Sequence, residues 1–333
     1  MYFNEFVFEK PALETKYGSQ LFKELADEGL SPKIGTAASA FTFFDNELER
    51  YKAGKRTLIF CSRNPSKFEN CRPSAHYQLP ITSGCPGLCE YCYLMTRTGS
   101  KSIVKLNCNI DKIFTMVNNY IDIAKTKPVL FELSSSSDPI PFEEPTRIVS
   151  KIIGCFATLK DGRLRICTKY EPTDSILNAK HNNNTDFRFS VNTSYIIDNF
   201  EHLTPSLDRR IEACSKVADA GYKLGVMLAP VFIYDGWQND YSEVLDKLNE
   251  KLGDKISTFE IVTHRYTTKA KETIQNIFND TLLDMNDSNR KFKMGQFGYG
   301  KYVYGKTDMD KIKEFFLREI AQRFPNASLL YIV

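Results

Sequence analysis

Ile81-Thr-Ser-Gly-Cys85-Pro-Gly-Leu-Cys89-Glu-Tyr-Cys92-Tyr93 carries three cysteines within eight residues, spaced C-x3-C-x2-C. Thiolates are the usual protein ligands of iron–sulfur clusters. Three this close can hold three corners of a [4Fe–4S] cube and leave its fourth iron open. Zinc is the competing occupant, but it prefers four closed ligands, commonly as two separated pairs. No histidine follows closely enough to complete such a set. Three coincidental core cysteines are the remaining reading.

Outward from this segment the chain alternates strands with helices. Apolar strand signals fall at Leu79 to Ser83, Pro128 to Leu133, Leu164 to Thr168, Phe187 to Val191, Leu224 to Ala229 and Phe259 to Thr263. Helical patterns lie at Ile110 to Ala124, Thr146 to Leu159, Thr173 to Ala179, Ser206 to Ala220 and Tyr241 to Leu252. Buried apolar runs separated by helices argue for a parallel sheet with helices outside. The expected fold class is α/β, a partial (β/α)6 TIM-type barrel whose chemistry sits at the C-terminal ends of its strands. Residues 1–75, with a helix over Lys16 to Glu28 and an apolar run Leu58 to Cys61, read as an N-terminal cap region. Residues 76–333 read as the barrel. A helix over Met309 to Phe324 and a strand over Leu329 to Val333 close the chain.

The 333 residues are 42% hydrophobic, with 17 Gly and 14 Pro, which excludes collagenous and disordered classes. Met1-Tyr-Phe-Asn-Glu5 does not read as a secretory signal. No apolar run approaches the ~18 residues of a membrane span. A soluble cytoplasmic protein is expected, with no membrane partner, its nine cysteines reduced or metal-bound rather than paired. The net charge of +3 does not announce a nucleic-acid partner. Its distribution is more telling: residues 290–306 hold five Lys/Arg, five Phe/Tyr and no carboxylate. Gly295, Gly298 and Gly300 among aromatic positions suggest a hairpin, able to contact phosphates and stack on bases. A surface hairpin with an aromatic inner face is the alternative.

The cysteine spacing, with the aromatic Tyr91 before the last cysteine, resembles the radical S-adenosylmethionine (SAM) superfamily. That resemblance implies SAM chelated to the open iron and cleaved, on one-electron reduction, to methionine and a 5′-deoxyadenosyl radical. Phe131-Glu-Leu-Ser-Ser-Ser-Ser-Asp-Pro139 stands where such enzymes hold the methionine amino group, through groups such as Ser135 and Ser137. Lys169, Ser190 and Asn192 follow later strands and suit the SAM carboxylate and ribose. Loop solvation and helix capping are the alternatives for these polar groups.

Many segments together resemble one family, the spore photoproduct lyases. They are Arg72-Pro-Ser-Ala-His-Tyr77, the cysteine loop into Tyr93-Leu94, Gly99-Ser-Lys101, Gly162-Arg-Leu-Arg165, Thr168-Lys169, Asn178-Ala-Lys-His181 and Phe187-Arg-Phe-Ser-Val-Asn192. The run continues with Asp208-Arg-Arg-Ile-Glu-Ala213, Ala220-Gly-Tyr222, Ala229-Pro230, Gly236-Trp237, His264-Arg265 and Gly300-Lys-Tyr302.

The resemblance implies a DNA-repair lyase that returns the UV-induced 5-thyminyl-5,6-dihydrothymine lesion to two thymines with the SAM-derived radical. The alternatives are a radical SAM enzyme of the same scaffold acting on a different substrate and a non-enzymatic, metal-stabilised nucleic-acid-binding protein. It implies Cys85, Cys89 and Cys92 as cluster ligands, and Ser135, Ser137, Lys169, Ser190, Asn192 and Ala229 around SAM. It further implies Tyr91 and Tyr93 as a hydrogen relay, and His264, Arg265, Gln296, Phe297, Lys301 and Tyr302 at the DNA. The implied partners are UV-damaged DNA containing thymine dimers and an electron donor such as flavodoxin or ferredoxin, in the cytoplasm and, by implication, the spore core.

The chain departs from the family pattern twice. Where many members place the cysteine that gives hydrogen to the product radical, this chain has Ser135. A serine O–H bond is too strong for that task. Cys71, in Asn70-Cys-Arg-Pro-Ser74, is the leading candidate donor because the chain leads from it directly into the cluster strand, with a bystander thiol as the alternative. Cys61, Cys108, Cys155, Cys167 and Cys214 lie in apolar patterns and read as core. In the hairpin, Gly295-Gln-Phe-Gly298 replaces Gly-Arg-Tyr-Gly, losing a charge and a hydroxyl but keeping the aromatic wedge.

Overall fold

The structure, a computed structural model, describes residues 1–37, 46–95, 102–295, 298 and 300–333. The chain divides into two compact units: Met1–Pro86 with Ser100–Thr168 and Pro172–Asp186, and Gly87–Gly99 with Lys169–Glu171 and Phe187–Val333.

The first unit holds a five-stranded sheet ordered Lys33–Ile34, Glu5–Phe8, Thr57–Cys61, Val104–Asn107, Thr82–Ser83. All neighbours are parallel except the last, which runs antiparallel to Val104–Asn107. Thr57–Cys61 is buried along its whole length, as expected of a central strand covered on both faces. Cys61 and Cys108 lie in this core, and Cys108 N–H donates to the Cys61 carbonyl at 2.7 Å.

The same unit carries the parallel strands Ala75–Leu79, Val129–Leu133 and Gly162–Thr168, with Asn70–Cys71 antiparallel at the edge. Here the sequence reading needs correction: the first barrel strand is Ala75–Leu79, not Leu79 to Ser83. Pro80 has no N–H to give the ladder, and the chain turns there, Ile81 N–H donating to the Leu79 carbonyl at 2.9 Å. Thr82–Ser83 then joins the other sheet.

In the second unit, Lys223–Val231, Ile256–Thr263 and Ser328–Ile332 pair in parallel. The strand Thr185–Val191 lies beside Lys223–Val231 and carries the chain from the first unit into the second. Helices Leu207–Asp219 and Trp237–Leu252 form from amphipathic stretches that bury Ile211, Cys214, Val244 and Leu248, and Lys306–Arg323, more weakly amphipathic, buries Phe315 and Phe316. Arg290–Met294 and Gly300–Tyr304 form the expected hairpin.

The second unit also buries an ion pair, Arg188 Nε to Glu260 Oε1 at 3.2 Å. Gly225 makes room for it: a Cβ there would lie 2.4 Å from Arg188 Nη1 and 2.5 Å from Thr258 Oγ1. Gly225→Ala is therefore expected to cost about 1–3 kcal/mol by overpacking, read as a lower urea midpoint at unchanged slope.

Candidate cluster and cofactor site

The residues around the cysteine segment are held separately in the two units. In the first, Gly84 precedes Cys85 at φ +77°, and a Cβ there would meet the Ile103 carbonyl oxygen at 2.4 Å. Only glycine meets both demands. Gly84 N–H donates to the Ser136 carbonyl at 3.0 Å, and Ser137 Oγ donates to the Gly84 carbonyl. The serine-rich loop thus fixes the approach to Cys85.

In the second unit, Leu88–Cys89 pairs antiparallel with a two-residue strand, Glu201–His202, that sequence reading did not anticipate. Glu90 N–H adds a bond to the Phe200 carbonyl at 2.9 Å. The side chains of that short strand grip both flanks of the loop. His202 Nε2 lies 2.7 Å from Glu90 Oε1, and Thr281 Oγ1 donates to Glu90 Oε2. Tyr91 Oη donates to Glu201 Oε1.

Glu201 is the hub of a buried charge network. Arg210 Nη2 reaches Glu201 Oε2 at 2.5 Å, and Lys169 Nζ reaches Glu201 Oε1 at 3.0 Å and Tyr91 Oη at 3.1 Å. Arg210 also donates to the carbonyls of Pro205 and Ser190, at 2.9 and 3.1 Å. Burial alone would raise the Glu201 carboxyl, but Arg210 and Lys169 outweigh it and hold the group down to about 2. Burial, then Glu201, pushes the Tyr91 phenol well above its ordinary value.

The other expected SAM contacts are placed as follows. Ser190 Oγ donates to the Ala229 carbonyl at 3.2 Å. Asn192 is buried, donating to the Pro230 carbonyl at 2.8 Å and accepting from Tyr241 Oη at 2.8 Å and Thr193 N–H at 3.0 Å. Ser135 Oγ donates to Gln78 Oε1. Tyr93 is exposed.

Cys85, Cys89 and Cys92 form no disulfide, and each is partly exposed. Among the described residues no three His, Cys, Asp or Glu side chains are already gathered around one point to hold a metal. The donor chemistry nonetheless suits an iron–sulfur cluster: three partly exposed cysteines on a short segment, with Glu201–His202 restraining its second half.

Cys71 lies in the first unit beside a buried polar cluster. Its carbonyl accepts from Ser74 N–H at 3.1 Å. Ser74 Oγ donates to Glu132 Oε2, and Arg165 Nη1 donates to the Ser74 carbonyl. Burial first, and the Glu132 carboxylate second, push the Cys71 thiol up to about 12. Cys61, Cys108 and Cys214 are core residues as expected, but Cys155 and Cys167 are only half-buried. Cys167 sits in the polar cluster, its thiol 3.7 Å from Glu132 Oε2.

On the hairpin, Lys291, Lys293, Phe292 and Met294 are exposed. The Phe292 ring lies over Gly300, where a Cβ would come within 1.9 Å of it. Lys301 is in register with Lys293, and burial together with Arg265 and Lys293 depresses its ammonium. These cations form a local positive patch. The Tyr302 ring stacks on Tyr266 at 5.4 Å. His264, expected near DNA, is fully buried against Phe232 with ring centroids 4.4 Å apart, and burial keeps it neutral. Gln296 and Phe297 lie outside the described residues.

The structure superposes at a TM-score of 0.94, over 99% of both chains and at 36% identity, on a cysteine-to-alanine, serine-to-cysteine double variant of spore photoproduct lyase with bound AdoMet and dinucleoside spore photoproduct. The fold is accordingly α/β, a partial TIM-type barrel of the radical SAM kind. Its closer relatives narrow that class. Spore photoproduct lyase of Clostridium acetobutylicum is 42% identical over 99% of each chain, and that of Bacillus subtilis 36% identical over 97% of this chain and 96% of the relative. The family model for spore photoproduct lyase matches residues 2–333. The chain belongs to the spore photoproduct lyase family.

Proposed function

We propose that this enzyme repairs the spore photoproduct in DNA, using SAM and a [4Fe–4S] cluster held by Cys85, Cys89 and Cys92. The observation that carries the reading is the end-to-end correspondence with a lyase that holds both AdoMet and the dinucleoside lesion. When bound, the cluster and SAM supply a 5′-deoxyadenosyl radical, which takes hydrogen from C6 of the lesion so that the methylene bridge breaks.

The protein's own groups orient and finish that chemistry. Lys169 suits the SAM carboxylate, with Ser135, Ser137, Ser190, Asn192 and the Ala229 backbone around the rest of the molecule. Tyr91 and Tyr93 relay hydrogen between the donor thiol and SAM, restoring the thiol, so no net redox change is needed. The cationic hairpin, with Arg265, Gln296, Phe297, Lys301 and Tyr302, engages the phosphates and wedges the duplex. His264 supports that face from within. The lesion must leave the base stack to reach a buried radical. An electron donor such as flavodoxin or ferredoxin supplies the electron, in the cytoplasm and spore core. No helix among the described residues is long and apolar enough to cross a membrane.

Cys71 is the hydrogen donor to the product radical. A hydrogen-atom donor must keep its S–H bond, and the raised Cys71 pKa keeps the group a thiol at neutral pH. Two further facts support the assignment. Ser135 bonds to Gln78, which is in register with Glu132 beside Cys71. The two substituted positions of the double variant are also separated along its chain by the same number of residues as Cys71 and Ser135 here.

The function is tested by anaerobic turnover with a dinucleoside spore photoproduct. Two thymines should appear without matching loss of SAM, whereas SAM cleavage with no thymine would refute the lyase reading. In Cys71→Ala, SAM cleavage should persist while clean thymine falls by roughly 10- to 100-fold in favour of side products. Full, clean repair by that variant ends Cys71's candidacy.

A further inference from the structure

We infer that Cys167 is a second thiol of the hydrogen-return site, exchanging a hydrogen atom with Cys71, and that Glu132 is the positioning residue that gathers both. The inference rests on the lyase reading above and deepens it.

The geometry is local to the first unit. Glu132 is buried on the strand Val129–Leu133, and Arg165 of Gly162–Thr168 is its direct neighbour in register. Side chains two apart on a strand share a face, so Cys167 stands on the same face as Arg165. Its thiol donates to Glu132 Oε2 at 3.7 Å. The same oxygen accepts from Ser74 Oγ, and Ser74 closes the turn that begins at Cys71. Arg165, donating to the Ser74 carbonyl, fixes that turn from the other side. One carboxylate oxygen therefore organises both the segment that carries Cys71 and the second thiol. Its negative charge also favours the S–H form of Cys71 over the thiolate.

A half-buried thiol turned toward a buried carboxylate is poor core packing, since an apolar side chain would fill the place without a polar demand. Its chemistry gives it a use. When Cys71 S–H gives its hydrogen atom to the product methylene radical, a thymine methyl forms and Cys71 is left as a thiyl. Hydrogen transfer from Cys167 S–H to that thiyl breaks one S–H bond and forms another, so it is close to thermoneutral and moves no net charge. Cys71 is restored as a thiol and the unpaired electron passes to Cys167. Lys169, the group assigned to SAM, follows Cys167 by two residues along the chain.

Cys167→Ser tests this, because the hydroxyl keeps the bond to Glu132 but its O–H is too strong to give up hydrogen. Iron content, SAM binding and melting temperature should match the parent. The 5′-deoxyadenosine released per thymine repaired should rise by roughly tenfold, since a thiyl stranded on Cys71 retakes hydrogen from 5′-deoxyadenosine inefficiently. In a Cys71→Ala background the same substitution should add nothing to that ratio, because the transfer passes through Cys71. An unchanged ratio in Cys167→Ser overturns the inference, and so does an effect that persists in full without Cys71. If the parent enzyme itself releases no thymine, the lyase reading has failed instead.

Discussion

Cys89→Ala is expected to abolish SAM cleavage and repair together while leaving the protein folded. Cys89 is the middle of the three cysteines, and its strand residue pairs with Glu201. Removing its thiolate leaves two ligands where a cluster with one open iron needs three. The backbone pairing does not depend on the side chain, and the thiol is only partly buried. The melting temperature should therefore move by no more than about 2–4 °C. Iron and sulfide analysis of anaerobically purified protein, with the broad visible absorbance, is the direct measurement. Retention of the parent's iron and full repair would remove Cys89 from the ligand set. Zinc in place of iron in the parent would remove the radical mechanism itself.

The second large effect is on stability. Glu201→Ala should cost about 3–5 kcal/mol, because it leaves Arg210 buried without its counter-charge and Lys169 half-buried with a lost partner. The cost follows from the buried partner left behind rather than from the net worth of the pair. Glu201→Gln keeps an acceptor for Tyr91 and Arg210 and should cost less.

The pH dependence has a definite sign. Glu201 is held down to about 2 in the folded protein against an ordinary 4.5. It thus contributes stability that is fully present above 4.5 and is lost as pH falls toward 2. That contribution is about 3 kcal/mol in order of magnitude. The gap in urea-measured stability between parent and Glu201→Ala should narrow over that window. A gap that stays constant from pH 6 to pH 3 would show that the carboxylate's charge is not what matters. Tyr91, bonded to the same carboxylate, should lose its fixed orientation in Glu201→Ala, so surviving folded protein should also release more 5′-deoxyadenosine per repair.

Much of this was readable in the chain. The C-x3-C-x2-C spacing is a local property, so the candidate ligands needed no tertiary information. The barrel strands Val129–Leu133, Gly162–Thr168 and Thr185–Val191 appeared as apolar runs because both faces of a parallel sheet are covered. The hairpin over Arg290–Met294 and Gly300–Tyr304 showed itself through glycines among aromatics. The absence of cysteine at Ser135 pointed to Cys71 before any geometry was known.

What sequence could not supply has one physical cause: it depends on groups far apart in the chain meeting in space. Glu201–His202 is two residues long and has no periodicity to detect, yet it grips the cysteine loop from more than a hundred residues away. The first barrel strand was displaced because apolarity continues across Pro80, while pairing stops there for want of an N–H. Cys167 looked like core because its strand is apolar, and only the register with Val129–Leu133 turned it toward Glu132. By itself the sequence determined which residues can make the radical, since ligand type and spacing are covalent facts. Only the tertiary structure decided which buried charges and thiols stand beside Tyr91 and Cys71, because burial and electrostatic contact are made by the fold.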